Sequence, residues 1–205
     1  MAWSNAPLTR GEVESLTNVW RARGLVPVLI AVASAFAAWA LLLPVVPTAV
    51  IDADQPASLA GLSTGVFMLA TVITQVFVPK ALKTVGYRWV IAVSSLLLGI
   101  PALGYMIGME PAPLLTVSAI RGVGFGALSV AEAAIVAELV PLRLLGSATG
   151  IFGVVVGLAQ MVALPSGLAL VDVVGYNAVY IIATAIGAVS LAACFAIPTI
   201  PTPEP

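Results

Sequence analysis

Histidine is absent from all 205 residues, and cysteine occurs once, as Cys194. The first absence excludes imidazole metal sites and histidine proton relays. The second excludes an intrachain disulfide and leaves a lone thiol inside an apolar run, where it reads as packing. Charge is scarce too: Lys and Arg number 8 and Asp and Glu 9, together 8% of the chain. A soluble domain carries roughly a quarter charged residues. No cluster of nucleophile, base and metal ligands appears, so an enzyme is not expected, nor a cofactor, a metal or a nucleic-acid partner.

What is abundant is hydrocarbon. Hydrophobic residues make up 61% of the chain, more than one soluble core of this size can absorb. Charge-free runs cover 24–51, 55–79, 89–109, 144–171 and 173–203, and a further run, 111–137, is broken only by Arg121 and Glu132. Each reaches the roughly 20 residues that a helix needs to cross about 30 Å of hydrocarbon. The short alternating segments of a transmembrane barrel are missing. The expected fold class is therefore an all-α membrane protein, with six transmembrane helices near 25–50, 58–79, 89–109, 113–138, 145–170 and 177–198. They form a bundle over 25–200, preceded by a segment 1–24 and followed by a polar tail 201–205. The polar stretch ahead of the first run argues against a cleavable signal peptide. Within it, Thr9 and Glu12 have capping-box spacing ahead of Val13, Leu16 and Val19, which fits either a short amphipathic surface helix or a frayed tail.

Basic residues in short loops set orientation. Arg10, Arg21 and Arg23 precede the first span, Lys80, Lys83 and Arg88 lie between the second and third, and Arg143 lies between the fourth and fifth. All seven fall on one side, whereas the opposite loops hold Asp52, Asp54, Glu110 and Asp172. Both termini are expected in the cytoplasm, with the chain in the cell (inner) membrane.

One stretch is written twice. In "PASLAGLSTGVF", residues 56–67, Pro56, Leu59, Gly61, Thr64, Gly65 and Phe67 match Pro141, Leu144, Gly146, Thr149, Gly150 and Phe152 of "PLRLLGSATGIF", each 85 positions later. A second echo pairs "KTVGYRWV" at 83–90 with "DVVGYNAV" at 172–179, at an offset of 89. Three crossings separate the copies, so the repeat is inverted: two three-helix units, about 25–109 and 113–198. Inverted three-helix repeats build each six-helix half of the largest class of secondary transporters.

The chain resembles the amino-terminal half of a major facilitator superfamily (MFS) transporter, in its drug-efflux-like branch. "LLLPVVPTAV" is similar to the proline-containing end of the first helix in that branch, and "PKALKTVGYRWV" occupies the loop between helices two and three, with Gly86 and Arg88 matching its pattern. "IRGVGFGALSVAEAAIVAELVPLRLLGSATGIFG" resembles the passage from helix four to helix five, and Pro165 and Gly167 fall where the antiporter signature of helix five lies. The resemblance implies a solute carrier that works by alternating access between two six-helix bundles. Its partners would be a small-molecule substrate, the lipid bilayer and a second bundle, from a longer chain or another copy. It also places Lys83, Arg88, Glu138 and Arg143 at a cytoplasmic gate. The rival reading is a six-helix scaffold that does not transport.

Inside the membrane, ionisable groups carry the most information because they are costly there. Arg121 and Glu132 are eleven residues apart, on nearly one helix face but about 16 Å apart along it, so they do not pair. Arg121 reads either as a contact for substrate or as part of a buried structural pair. Glu132 reads as a tie to Lys83, Arg88 or Arg143 at the inner end, or as a site of proton coupling. Gln75 and Gln160 are cavity hydrogen-bonders or interhelical ties. Trp39, deep in the first span, either stacks against substrate or is packed. Pro27, Pro44 and Pro47 mark the first helix as cavity-lining, or else as merely kinked. Glycines four apart at Gly61/Gly65, Gly122/Gly126, Gly146/Gly150 and Gly153/Gly157 read as packing faces.

Overall fold

The computed structural model describes residues 8–198, so the polar tail 201–205 lies outside the described residues. No strand occurs among the described residues. The helices are α1 (Arg10–Glu14), α2 (Leu25–Asp52), α3 (Ala57–Val85), α4 (Tyr87–Gly99), α5 (Pro111–Glu138) and α6 (Leu145–Cys194). Apart from α1, all are apolar and long enough, alone or with the helical turns that extend them, to cross a membrane.

Two boundaries differ from the sequence expectation. The helix foreseen over 89–109 is α-helical only to Gly99 and continues as a 3₁₀ stretch, Ile100–Met106. Pro101 explains the change, since it lacks the N–H that would bond to the carbonyl of Leu97. The spans foreseen at 145–170 and 177–198 form one helical element of 50 residues, interrupted at Gly175 by φ +77° and ψ 167°. The chain reverses there. Arg143, just ahead of α6, touches the N-terminal segment, Gly167 packs on Leu41, Tyr176 reaches Asp52, and Pro198 closes on Gly24. Hence α6 comprises two antiparallel limbs, before and after Gly175.

Gly86, between α3 and α4, has φ +85° and ψ 159°, almost the conformation of Gly175. These two glycines occupy the same place in the second sequence echo. A residue with a Cβ is strained in that region, so each copy needs glycine to turn one long helix into the next.

Helix α2 is central and continues through Pro44 and Pro47. Each proline removes a donor, from the carbonyls of Ala40 and Leu43 respectively. Close crossings rest on glycine: a Cβ at Gly126 would stand 2.5 Å from the Thr71 carbonyl oxygen, and one at Gly124 2.5 Å from the Leu98 nitrogen. At the crossing of α4 with the second limb of α6, Gly99 faces Gly187 and Ser95 Oγ lies 3.0 Å from Ser190 Oγ. Of the four glycine pairs, only Gly122/Gly126 packs inside the bundle; Gly61, Gly65, Gly146, Gly150, Gly153 and Gly157 have nothing within 4 Å.

Residues 8–24, ahead of α2, pack against the bundle. Thr9 and Glu12 form the full capping box on α1, and Asn18 caps the 3₁₀ turn Val19–Arg21. Hydrogen bonds from the Thr9 backbone and hydroxyl, with Arg23 beyond them, hold the Glu12 carboxyl below its ordinary range.

Candidate substrate cleft

One residue before Gly122, at the start of the face that Gly122 and Gly126 give to α3, and one turn from Phe125, α5 carries its arginine inward. Arg121 is only 3% exposed. Its Nε donates to the Leu98 carbonyl oxygen at 3.1 Å and its Nη1 to the Tyr105 hydroxyl at 3.5 Å. The Tyr105 hydroxyl also shares a hydrogen bond with Ser118 Oγ at 3.0 Å, in which either hydroxyl can donate. The guanidinium also lies 5.5 Å from the centre of the Tyr105 ring and 5.9 Å from that of Phe67. Rings and a carbonyl soften the desolvation of the cation but do not neutralise it. Nη2 has no acceptor and no acid pairs with Arg121 among the described residues.

Arg121 borders a narrow cleft of about 30 Å³, walled also by Trp39, Leu43, Pro47, Ser63, Thr64 and Phe67. Helix α2 supplies Trp39, Leu43 and Pro47 to its wall. Trp39 stacks on Phe125, with centroids 4.6 Å apart and planes at 16°. Phe36 meets Trp39, Phe125 and Phe152 edge-on, and Phe67 also reaches Phe125. Phe67 and Phe152, the last residues of the twice-written stretch, thus converge on one aromatic cluster from opposite limbs of the bundle.

The other foreseen residues lie apart from this cleft. Gln75 Nε2 donates to Ser129 Oγ at 3.3 Å and ties α3 to α5. Gln160 is half-buried on the first limb of α6, with no hydrogen bond among the described residues. Glu132 is fully enclosed, and neither carboxylate oxygen has a partner among the described residues. It therefore does not touch Lys83, Arg88 or Arg143. Those cations and Glu138 share one end of the bundle, yet no ion pair joins any two of the four among the described residues. Arg88 instead donates to the Phe195 carbonyl at 3.5 Å and lies 5.1 Å from its ring centre, while Arg143 grips the N-terminal segment. At the opposite end, the Tyr176 hydroxyl donates to Asp52 Oδ2 at 2.6 Å.

Tyr105, Ser118, Ser63 and Thr64 escaped the sequence reading. Hydroxyls are common in membrane helices, and only the 3₁₀ winding of 100–106 brings Tyr105 back over Arg121.

Long apolar helices around a buried cation and an aromatic-walled cleft define a polytopic membrane protein. The family model for the Major Facilitator Superfamily matches residues 28–205, and the chain belongs to that family. Members of this superfamily are membrane transporters of solutes. Among curated proteins, none matches the chain.

Proposed function

We propose that this chain is one half of an MFS-type secondary transporter of the drug-efflux-like branch, moving a small organic solute with an anionic group by alternating access. Arg121 carries the reading: a cation enclosed without an acid, with Nη2 unused beside the cleft, is a site prepared for a negative group. Trp39 and Phe67 supply the apolar walls. Glu132, unpartnered and enclosed, is the candidate for proton coupling, and Gln160 the polar group left for the cavity of the complete transporter.

Several observations support two inverted three-helix units, 25–109 and 113–198. Gly86 and Gly175 share a conformation, Phe67 and Phe152 join one aromatic cluster through Phe125 and Phe36, and Gly61/Gly65 and Gly146/Gly150 are open alike. The open glycines lie on α3 and the first limb of α6, the two most exposed spans, which suits docking of a second six-helix bundle. The gathering of seven basic residues at one end of the bundle supports a cytoplasmic position for that end, where Lys83, Arg88, Glu138 and Arg143 gate against that second bundle.

The test is ligand-induced thermal stabilisation with small carboxylates and their methyl esters. Carboxylates are expected to raise Tm and esters not, and Arg121→Lys to weaken binding about tenfold, or about 1.4 kcal/mol, because lysine lacks the planar fork. Equal shifts for acid and ester, unchanged in Arg121→Ala, would remove the anion site. No shift with either would leave the scaffold reading, which gives the cleft no role.

A further inference from the structure

Glu132 raises a question of access. A buried carboxyl with both oxygens unpartnered is costly, and the natural relief is water or a proton brought to it. The short way in is from the basic end. Six residues separate Glu132 from the end of α5 at Glu138, about 9 Å of helix, whereas 21 separate it from Pro111, about 32 Å.

That way is closed by two layers. Leu139, two turns beyond Glu132 on nearly the same face, is 1% exposed, and its Cδ2 lies 3.6 Å from where a Cβ on Gly24 would stand. Pro198 presses on the same glycine, completing a floor. Over the floor runs the N-terminal segment, with Leu8, Val19 and Ala22 buried in the same hydrophobic cluster as Leu139.

Helix α1 has five residues and buries none of them. From the α5–α6 passage, the Arg143 guanidinium donates to the carbonyl oxygens of Glu14 at 2.8 Å and Leu16 at 2.5 Å. At the segment's other end stands Gly24, at φ +89°, where glycine alone turns freely. A latch on backbone carbonyls, three apolar plugs and a glycine pivot describe an element that can open without unfolding the helices behind it.

We propose that residues 8–24 are a lid over the access to Glu132 from the basic end, latched by Arg143 and pivoting at Gly24. When it lifts, water reaches the Glu132 carboxyl; when it is latched, the carboxyl is sealed. The lid builds on the coupling role proposed for Glu132 and adds the element that controls it.

The full chain tests this with Glu132→Cys in a Cys194→Ala background, labelled by a water-soluble methanethiosulfonate in membrane vesicles of each orientation. Trypsin cleavage after Arg10 reports release of the lid separately. With the latch intact, labelling is expected to be slow from both sides. Arg143→Ala is expected to speed both cleavage and labelling from the basic end about tenfold, the change in open population equivalent to about 1.4 kcal/mol. Leu8→Asp frees the lid without touching the latch and is expected to act alike, which keeps the test intact if Arg143→Ala fails to fold. Faster cleavage with unchanged labelling overturns the lid, and unchanged cleavage in Arg143→Ala overturns the latch. Faster labelling, with proton-driven transport intact in Glu132→Gln, keeps the lid and removes the coupling role.

Discussion

The Tyr105 hydroxyl holds more than its size implies, because it accepts from Arg121 and shares a hydrogen bond with Ser118 in a buried position. Tyr105→Phe keeps the ring beside the guanidinium but strands both partners. The expected loss is about 1–3 kcal/mol in a reversible unfolding assay, with a weaker carboxylate response at the cleft. Glu12 gives the pH dependence. Its carboxyl is depressed below the ordinary value of 4.5 by bonds from Thr9, so the capping box contributes its full stability above that value and loses it as pH falls through the lower folded value. An NMR titration of Glu12 checks the sign, and Thr9→Ala is expected to return the carboxyl toward 4.5. At this scale the sequence was informative about cost but not about partners. Arg121 and Glu132 stood out as ionisable groups in apolar runs. The carbonyls of Leu98, Glu14 and Leu16, which two of the arginines use, have no sequence signature, because every residue has one.

Helices show the same division. Long charge-free runs made their existence plain, yet glycine spacing did not say which faces were already used. Gly126→Ala forces a methyl against the Thr71 carbonyl and is expected to cost about 1–3 kcal/mol through overpacking between α3 and α5. Gly150→Ala meets nothing within 4 Å, so the isolated bundle is expected to melt as before. Association with a second bundle, read by cross-linking or native mass spectrometry, is where Gly150→Ala is expected to act; no effect there would remove that face from the docking surface. The 3₁₀ ending of α4 was foreseeable from Pro101, but its consequence was not. Winding at three residues per turn places Tyr105 where an α-helix would not.

For the molecule as a whole, the path of the chain through the bilayer is the first thing to check. Cysteines at Asp54 and Lys83 in a Cys194→Ala background are expected to label from opposite sides with an impermeant thiol reagent. Labelling from one side would overturn the six-span path. The echo at Gly86 and Gly175 was visible as letters, and its physical sense is a shared backbone conformation that only glycine holds without strain. The path of residues 8–24 was not visible, because a capping box fits a surface helix as well as a segment folded under the bundle.

The stacking of Trp39 on Phe125 gives the molecule an optical probe of its own. Trp20 and Trp89 are each 60% exposed, so brominated lipid or aqueous iodide reaches them, while the half-buried Trp39 beside the cleft is shielded. With Trp3, Trp20 and Trp89 replaced by phenylalanine, the remaining emission reports on the cleft alone. An occupant touching that indole shifts its fluorescence, so solutes can be screened by colour before anything about their transport is known.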